Sequence, residues 1–337
     1  MNRSKNKTGL KNQIRLIYYT FFYNENNDSL TWLETFLAPF AEFMSSLMRM
    51  IGIFLVFLVI VLVSNMIYLF YGIILPKIFE TTWPNILIHF CFGNWLAVNT
   101  VFHYYMGLMT NPGEPPKSNV ENIVTMCKKC IAPKPARTHH CSICNKCILK
   151  MDHHCPWFNN CIGFYNHRYF LMFCIFMTID CLYLITYGFH YYQLYVYPDS
   201  NMNIFNLILT LGQASTHLKY ALYFQLSAIE FFLAFVAIFA VGGLAAINIF
   251  IISQGGTNIE LKSMRIPCIP STYSNAKNPY DLGFRTNWKI FLGFTDTKSF
   301  IRRVILPSTH KPIGDGVDWS EYFNFERYNS KYKILQV

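Results

Sequence analysis

Seven cysteines and four histidines lie within the thirty-five residues from Cys127 to Cys161. Two pairs of cysteines, Cys127/Cys130 and Cys141/Cys144, have a two-residue gap that allows each pair to chelate one metal ion. The remaining candidate ligands are Cys147, Cys155, Cys161, His139, His140, His153 and His154. Thiolate and imidazole groups at these spacings predict tetrahedral zinc sites.

Two tetrahedral zinc sites take eight ligands, whereas this stretch offers eleven. Spacing alone does not decide which three stay unbound, but it predicts a thiol free of metal. A free thiol near Asp152 and a histidine suits nucleophilic catalysis, because a thiol attacks as its thiolate and a neighbouring base can generate that thiolate. The alternative interpretation is that all of these groups are structural.

The overall composition is typical of a membrane protein. Hydrophobic residues make up 53% of the 337 residues and charged residues only 14%, whereas soluble domains carry about 25% charged residues. The net charge of +10 would suit a nucleic-acid partner. However, most Lys and Arg residues lie in the N-terminal arm, the cysteine-rich loop and the C-terminal tail. This placement indicates cytosolic faces that contact membrane lipid, and it predicts no nucleic-acid partner.

Four apolar segments are long enough to cross about 30 Å of hydrocarbon as helices. They cover about 51–74, 85–108, 169–191 and 223–252. Polar residues interrupt the second segment, and Asp180 lies near the middle of the third. The predicted fold class is an α-helical membrane protein with four transmembrane helices. A cytosolic, zinc-binding, cysteine-rich domain lies between the second and third of them.

The distribution of basic residues over the loops predicts the orientation in the membrane. Six Lys and Arg residues precede the first span, eight lie between the second and third, and twelve follow the fourth, against two in the other loops. Both termini and the cysteine-rich loop are therefore predicted to be cytosolic. The predicted domains are an N-terminal arm, transmembrane helices 1 and 2, the cysteine-rich domain, transmembrane helices 3 and 4, and a C-terminal region, at residues 1–50, 51–108, 109–168, 169–252 and 253–337.

The run from Arg137 to Gly163 closely resembles the cysteine-rich domain of the DHHC protein S-acyltransferases, which are membrane enzymes that attach palmitate to protein cysteines. At its centre stands the sequence Asp152-His153-His154-Cys155-Pro156-Trp157. Three shorter segments resemble the Asp-Pro-Gly, Thr-Thr-x-Glu and C-terminal motifs of that family, namely Asn111-Pro112-Gly113, Thr257-Asn258-Ile259-Glu260 and Asn278 to Asn287. Asn111 stands where the first motif has Asp, and Asn258 stands where the second motif has its second Thr.

The resemblance implies a role for each group in the cysteine-rich stretch. The first zinc ion takes Cys127, Cys130, His140 and Cys147. The second takes Cys141, Cys144, His154 and Cys161. Cys155 is then the nucleophile, His153 its general base, and Asp152 the group that orients His153. His139 is left over.

The resemblance also implies the co-substrate and the cofactors: palmitoyl-CoA or another long-chain acyl-CoA, and two structural zinc ions. The predicted contacts of the CoA phosphates are Lys134, Arg137 and His139, and Lys150 is a weaker candidate. The alternative is that these residues form a solvated face or contact lipid. Asp180 is predicted either to close the far end of the acyl cavity or to bond Asn65, Asn99 or another span, because an ionisable group in a membrane is costly.

The function implied is protein S-acyl transfer, from acyl-CoA to Cys155 and then to cysteines of other proteins. The predicted partners are cytosolic-face or membrane-associated proteins with accessible cysteines, together with membrane lipid, and an accessory subunit or second copy of the chain. The predicted location is the endoplasmic reticulum or Golgi membrane. The two alternatives are a membrane-bound zinc scaffold and a transporter. The complete Asp-His-His-Cys sequence disfavours the first, and the absence of an inverted repeat disfavours the second.

Overall fold

The computed structural model describes residues 29–75, 83–116, 123–188, 218–265 and 278–319. The chain divides into two compact units, residues 1–51 and 52–337. The long helices are α1 to α4, at Ser29–Leu69, Trp83–Met109, His167–Tyr183 and Leu218–Ser253. Three short helices, α5 to α7, follow at Asn258–Arg265, Phe284–Leu292 and Thr297–Phe300. Turns of π-helix extend α1, α3 and α7 through Phe70–Ile74, Leu184–Gly188 and Ile301–Ile305.

Three helical segments in the described part of the chain are long and apolar enough to cross a membrane, namely Pro39–Gly72, His167–Tyr187 and Ala228–Ser253. They correspond to the first, third and fourth predicted spans. Helix α2 is 27 residues long, or about 40 Å, but polar side chains lower its hydropathy. Three of them, Asn99, Thr100 and His103, are fully buried and therefore face protein. A fourth span through α2 remains a prediction.

The first unit contains the beginning of α1. The predicted N-terminal arm includes Trp32–Met50, for which the sequence is compatible with either an interfacial helix or disorder. The structure makes this segment part of α1, so disorder is the wrong alternative. Large apolar side chains on it, such as Phe40, Phe43 and Met50, are more than 60% exposed. Such exposure suits contact with lipid.

Three short antiparallel hairpins make up the cysteine-rich region. Strand β1 pairs with β2, β3 with β4, and β5 with β6; their bounds are Ile123–Cys127, Ala132–Pro135, His139–Cys141, Lys146–Ile148, His153–Cys155 and Asn160–Ile162. An isolated two-stranded hairpin is at best marginally stable in water. These hairpins therefore need support from groups outside each pair of strands.

Two asparagines join the third hairpin to the end of α2. The Asn160 amide donates to the carbonyl oxygens of Gly107, Leu108 and Thr110 at 3.1–3.4 Å. The Asn166 amide donates to Cys161 O at 2.8 Å. Since the last carbonyls of a helix have no partner within the helix, these bonds both cap α2 and hold the hairpin against it.

The C-terminal region covers the end of α4. The Asn278 and Asn287 amides donate to the carbonyl oxygens of Gln254 and Ser253 at 2.7 and 2.9 Å. Gly255 has a φ of +66°, and a Cβ at this position would collide with the Tyr280 carbonyl, so only glycine fits. The segment that resembles the family's C-terminal motif thus docks onto a helix end. The sequence predicts no fold for the tail beyond Phe294, whereas the structure contains α7 there.

Candidate active site

Two clusters of three cysteines and one histidine could each hold a metal ion. Their members are Cys127, Cys130, His140 and Cys147, and Cys141, Cys144, His154 and Cys161, and in each cluster all ligand atoms lie within 4.8 Å of one another. The individual S···N and S···S distances are 3.2–4.0 Å in the first cluster and 3.4–3.8 Å in the second. Ligands of tetrahedral zinc lie about 3.5–3.8 Å apart for bonds of about 2.3 Å to sulfur and 2.0–2.1 Å to nitrogen. The donor sets therefore fit zinc.

The two clusters interleave along the chain because of strand geometry. Neighbouring side chains in a strand point to opposite faces, so in β3 His140 belongs to the first cluster and Cys141 to the second. In each Cys-x-x-Cys turn the second cysteine's amide points at the first cysteine's sulfur, at 3.4 Å for both Cys130 and Cys144. Such N–H···S contacts stabilise thiolate ligands. Loss of one metal site should loosen the other through the shared strand.

The same alternation in strand β5 places Cys155 and the metal-cluster residue His154 on opposite faces of the strand. His153 and Cys155 stand on one face of β5, and His154 between them points to the second metal cluster. The turn after β5 is a short 3-10 helix, Pro156–Phe158, which begins with proline, the residue suited to a first helical turn. It ends at Asn159 in the left-handed region, with φ +44°. The structure thus brings the predicted catalytic residues together in a backbone held by metal ligands on both sides.

Asp152 and His153 form a hydrogen-bonded pair, with 2.7 Å between Asp152 Oδ2 and His153 Nδ1. Burial disfavours the imidazolium, but hydrogen bonds with Asp152 and Cys155 outweigh it and raise the pKa of His153 to about 9. Because Nδ1 is occupied by Asp152, Nε2 is the nitrogen left for the thiol. A protonated ring at neutral pH is the state that stabilises a neighbouring thiolate.

Asp152 is held by residues far away in the sequence. The backbone N–H of Asn258 donates to Asp152 Oδ1 at 2.8 Å, and the Asn258 side-chain amide donates to Oδ2 at 2.6 Å. Burial alone would raise the pKa of the Asp152 carboxyl. His167, His153 and the Asn258 amide outweigh burial and hold that pKa well below its usual range. The asparagine that departs from the Thr-Thr-x-Glu pattern therefore supplies two donors to the carboxylate.

The same motif binds Arg137. Its guanidinium donates to both carboxylate oxygens of Glu260 at 2.7 Å and to Gly255 O at 2.8 Å. It also lies over the rings of Tyr280 and Trp319, 4.3 and 4.6 Å from their centroids. A planar, bidentate and stacked arginine is a strong structural joint. Arg137, predicted as a CoA contact, thus connects the cysteine-rich domain to the C-terminal region.

An open cleft of about 470 Å³ is lined by two of the predicted CoA contacts, and Lys134 and His139 are not among its lining residues. Arg137 and Lys150 are its two cationic lining residues. Burial, and then the charge of Arg137, lower the pKa of Lys150 to about 7. Lys134 lies in β2 and His139 in β3, and both are partly buried. Burial, followed by the charge of Lys134, lowers the pKa of His139. The role of these residues in binding CoA remains a prediction.

Cys155 faces an apolar interior. It is buried in a cluster with Tyr104, Phe158, Ile162, Phe170, Phe173, Cys174 and Ala245. The cluster draws on α2, α3 and α4, so three long helices converge above the thiol. Tyr104 donates its hydroxyl to Trp157 O at 3.0 Å, which fixes the turn that follows Cys155. A saturated chain bound to Cys155 would find hydrocarbon contacts on this side.

Asp180 lines a separate cavity of about 380 Å³ together with Phe70, Gly93 and Tyr183. Its carboxylate accepts a hydrogen bond from the Thr100 hydroxyl of α2. The two other predicted partners bond elsewhere: Asn65 donates to Glu230 at 2.9 Å, and Asn99 donates to Trp95 O at 2.8 Å. Asp180 therefore bonds another helix, through Thr100 and not through Asn65 or Asn99, and its place at the end of an acyl cavity remains a prediction.

Two buried residues near the site have no counterpart among the sequence predictions. His167 Nε2 lies 4.0 Å from Asp152 Oδ1 and 3.3 Å from Asn248 Oδ1. Asn248 is in α4 and fully buried. In the sequence His167 follows the cysteine-rich stretch at a helix start, and Asn248 stands alone in an apolar span. Asn248 offers the one sequence signal for this pair, because a polar residue within an apolar span usually faces the protein interior and often a functional site.

The arrangement contains the parts of acyl transfer by a thiolate. Cys155 offers a thiol outside both metal clusters, the His153 ring can hold and return one proton, and Asp152 is hydrogen-bonded to that ring. The metal ligands lie on either side of the nucleophile and leave it unbound, because all eight donors of the two clusters are other residues. The metals would therefore stabilise the backbone of the hairpins without taking part in the transfer.

Comparison with known proteins points to the same chemistry. The family model described as DHHC palmitoyltransferase matches residues 121–264. Palmitoyltransferase ZDHHC16A of Danio rerio is 34% identical to this chain over 342 residues, covering 92% of this chain and 88% of that protein.

Two mammalian proteins show the same extent of similarity. Palmitoyltransferase ZDHHC16 of Mus musculus is 38% identical over 310 residues, covering 89% of this chain and 82% of the relative. Palmitoyltransferase ZDHHC16 of Homo sapiens is 36% identical over 315 residues, covering 89% and 83%. The similarity thus extends well beyond the cysteine-rich region.

Proposed function

Because this chain belongs to the DHHC palmitoyltransferase family and is therefore a protein S-palmitoyltransferase, we propose that Cys155 carries the acyl group between CoA and the substrate protein. The observation that carries this assignment is the buried thiol of Cys155, which lies outside both metal clusters and on the same face of β5 as His153, itself hydrogen-bonded to Asp152. Every other cysteine of the cysteine-rich stretch belongs to a metal cluster.

In the first half-reaction the Cys155 thiolate attacks the thioester carbon of palmitoyl-CoA. The new carbon–sulfur bond forms at Cys155 while the bond to the CoA sulfur breaks. The proton held by His153 passes to the departing CoA thiolate. Asp152 keeps the ring oriented through its 2.7 Å bond to Nδ1, so that Nε2 faces the reacting sulfur atoms.

In the second half-reaction a cysteine of the substrate protein attacks the Cys155 thioester. The neutral His153 ring, left after the first step, takes the proton of the incoming thiol. The acyl group then moves to the substrate cysteine, and Cys155 leaves as a thiolate beside the imidazolium. One histidine therefore serves as acid in the first step and as base in the second.

The two parts of acyl-CoA need different environments, an apolar one for the acyl chain and a cationic one for the phosphates. Its acyl chain is proposed to enter the apolar cluster around Cys155, which α2, α3 and α4 supply. Its phosphates are proposed to remain near the cationic side, at Lys134, Arg137 and His139. The cleft with Arg137 and Lys150 supports this placement, because a cationic wall attracts phosphate and excludes like charge.

The metal clusters and the helices define the setting of the reaction. The proposed metals are two zinc ions that stabilise the hairpins. The apolar helices and the family membership indicate a membrane protein. We propose that α2 forms a fourth span, that both termini and the hairpins are cytosolic, and that the membrane is that of the endoplasmic reticulum or Golgi. The substrates would be proteins whose cysteines reach the cytosolic face.

The detergent-purified full chain provides the test of this function. It should be incubated with alkyne-labelled palmitoyl-CoA and analysed on a gel before and after neutral hydroxylamine, which cleaves thioesters. The proposal predicts a labelled protein band that hydroxylamine removes. A zinc scaffold without transferase activity would remain unlabelled, and an adventitious oxygen ester would resist hydroxylamine.

His153→Ala is expected to slow acyl-enzyme formation by roughly 10²- to 10⁴-fold, the usual effect of losing a general acid–base group. Both metal clusters should remain filled, because the side chain points away from them in β5. The measurement is a rapid-quench single turnover at saturating palmitoyl-CoA, with zinc analysis of the same sample. An unaltered rate at neutral pH would remove His153 from the mechanism.

We propose that a long acyl chain runs from the apolar cluster around Cys155 into the cavity that Asp180 lines, where the carboxyl group forms a polar end. Asp180→Ala is then expected to shift the preference toward longer acyl chains. A competition among lauroyl-, myristoyl-, palmitoyl- and stearoyl-CoA measures the shift. Thr100→Val is the matched control, since it removes the hydrogen bond to Asp180 and leaves the carboxyl in place. An unchanged ranking with a lowered melting temperature would make Asp180 a packing residue.

A further inference from the structure

A second histidine lies close to the catalytic carboxylate. The Asp152 side chain is fully buried and accepts three hydrogen bonds, from His153 Nδ1 and from the backbone and side chain of Asn258. His167 Nε2 lies 4.0 Å from Asp152 Oδ1, and the His167 side chain is 1% exposed. Electrostatic interactions are strong where water is excluded.

The orientation of the His167 ring follows from its neighbour Asn248. The Asn248 side-chain N–H group donates to Leu244 O at 2.9 Å, which leaves its Oδ1 as an acceptor toward His167. Since Oδ1 lies 3.3 Å from Nε2, the hydrogen of the ring must be on Nε2. That hydrogen is donated to Asn248, and Asp152 Oδ1, at 4.0 Å from Nε2, is too far for a hydrogen bond, so the effect of His167 on the carboxylate is electrostatic. The described residues provide no partner for Nδ1.

The backbone and the surrounding rings hold His167 in this position. It is the first residue of α3, its backbone N–H donates to Gly163 O at 3.0 Å, and the Asn166 side chain before it is bonded to Cys161 O. Phe291 packs perpendicular to the imidazole, with 5.1 Å between the ring centroids. The ring therefore has a fixed relation to the second metal cluster and to Asp152.

We infer that His167, oriented by Asn248, is a positioning residue whose Nε2–H group, donated to Asn248 Oδ1, places the positive end of its dipole near Asp152 Oδ1 and so helps to keep the carboxylate aligned with His153. The inference rests on the proposed function, because it assigns His167 an effect only through the Asp152–His153–Cys155 series. Through Asn248, His167 also connects Asp152 with helix α4, which contributes Ala245 to the apolar cluster around Cys155. His167 touches neither the thiol nor a metal ligand in the contacts described above.

The test compares substitutions that keep or remove the donor. His167→Phe keeps a planar ring without a donor, and His167→Gln keeps an N–H group near the position of Nε2. The full chain is purified in detergent, its zinc is counted, and single-turnover acylation by palmitoyl-CoA is followed over a range of concentrations. The rate constant of His167→Phe at saturation should fall roughly 10- to 100-fold, the usual effect of removing a group that orients a reacting residue.

Two further readouts separate positioning from packing. The palmitoyl-CoA concentration at half the maximal rate should stay within about twofold in His167→Phe, and His167→Gln should recover the rate to within about threefold of wild type. Asn248→Ala should lower the rate as well, and the double substitution with His167→Phe should cost less than the product of the two single effects, because both act through one N–H group.

Four outcomes would overturn the inference. His167→Phe could react at the wild-type rate, or His167→Gln could be as slow as His167→Phe with full zinc content. If His167→Phe loses zinc, Asn248→Ala decides, and a wild-type rate in that variant overturns the inference. An unlabelled wild-type protein would overturn the proposed function and this inference together, whereas a labelled wild type with an equally fast His167→Phe overturns the inference alone.

Discussion

Cys155→Ser is expected to reduce acyl-enzyme formation to background while both metal clusters stay filled. A serine hydroxyl remains protonated near neutral pH, whereas a cysteine beside an imidazolium can react as its thiolate. Replacement of sulfur by oxygen also changes little in volume, so the buried apolar cluster around residue 155 should persist. The measurement is the hydroxylamine-sensitive label on the purified protein, together with zinc per chain.

Cys174→Ser is the matched control for this substitution. Cys174 is another buried cysteine of the same apolar cluster, and it belongs to neither metal cluster. It should therefore retain both the label and the zinc. If Cys155→Ser loses a zinc ion, Cys155 is a metal ligand and the division of the cysteines proposed above is wrong.

His140→Ala is expected to release zinc, to cause aggregation and to abolish activity together. Binding of structural zinc in small domains contributes on the order of 10 kcal/mol to folding. His140 is a member of the first cluster, and the next residue in β3, Cys141, is a member of the second. Removal of one ligand should therefore disturb both sites. Zinc analysis and size-exclusion chromatography in detergent measure the effect.

His139→Ala provides the control, because His139 is the neighbouring histidine outside both clusters. This variant should elute as a single species with two zinc ions per chain, whatever its affinity for acyl-CoA. If His140→Ala is instead well folded and keeps both zinc ions, His139 is the metal ligand. The pair of variants thus distinguishes two adjacent histidines that spacing alone leaves equivalent.

The local features of the site follow from short sequence patterns. Two-residue gaps between cysteines predict metal clusters, and alternation along a strand separates His154 from His153 and Cys155. Long apolar segments predict the three helical segments of the described residues that are long and apolar enough to cross a membrane. In each of these cases the determining residues are neighbours in the chain, so spacing carries the information.

By contrast, Asn258 and His167, which lie close to the Asp152 carboxylate, are not sequence neighbours of Asp152. Asn258 lies 106 positions away from it, and His167 faces it from the start of another helix. Spacing carries no information on such contacts, because they arise only when helices and hairpins pack together. The environment of α2 also depends on packing, since Asn99 and His103 are polar residues that are buried against protein.

The most direct test of the account locates the acyl group during turnover. The full chain is exposed briefly to palmitoyl-CoA, half of the sample is quenched, and the other half is mixed with a cysteine-containing substrate protein. Digestion and mass spectrometry then identify the acylated residue in each half. The account predicts one palmitoyl thioester, at Cys155, which declines as the substrate becomes acylated. Acylation of a different cysteine, or a Cys155 thioester that persists while the substrate is acylated, would contradict it.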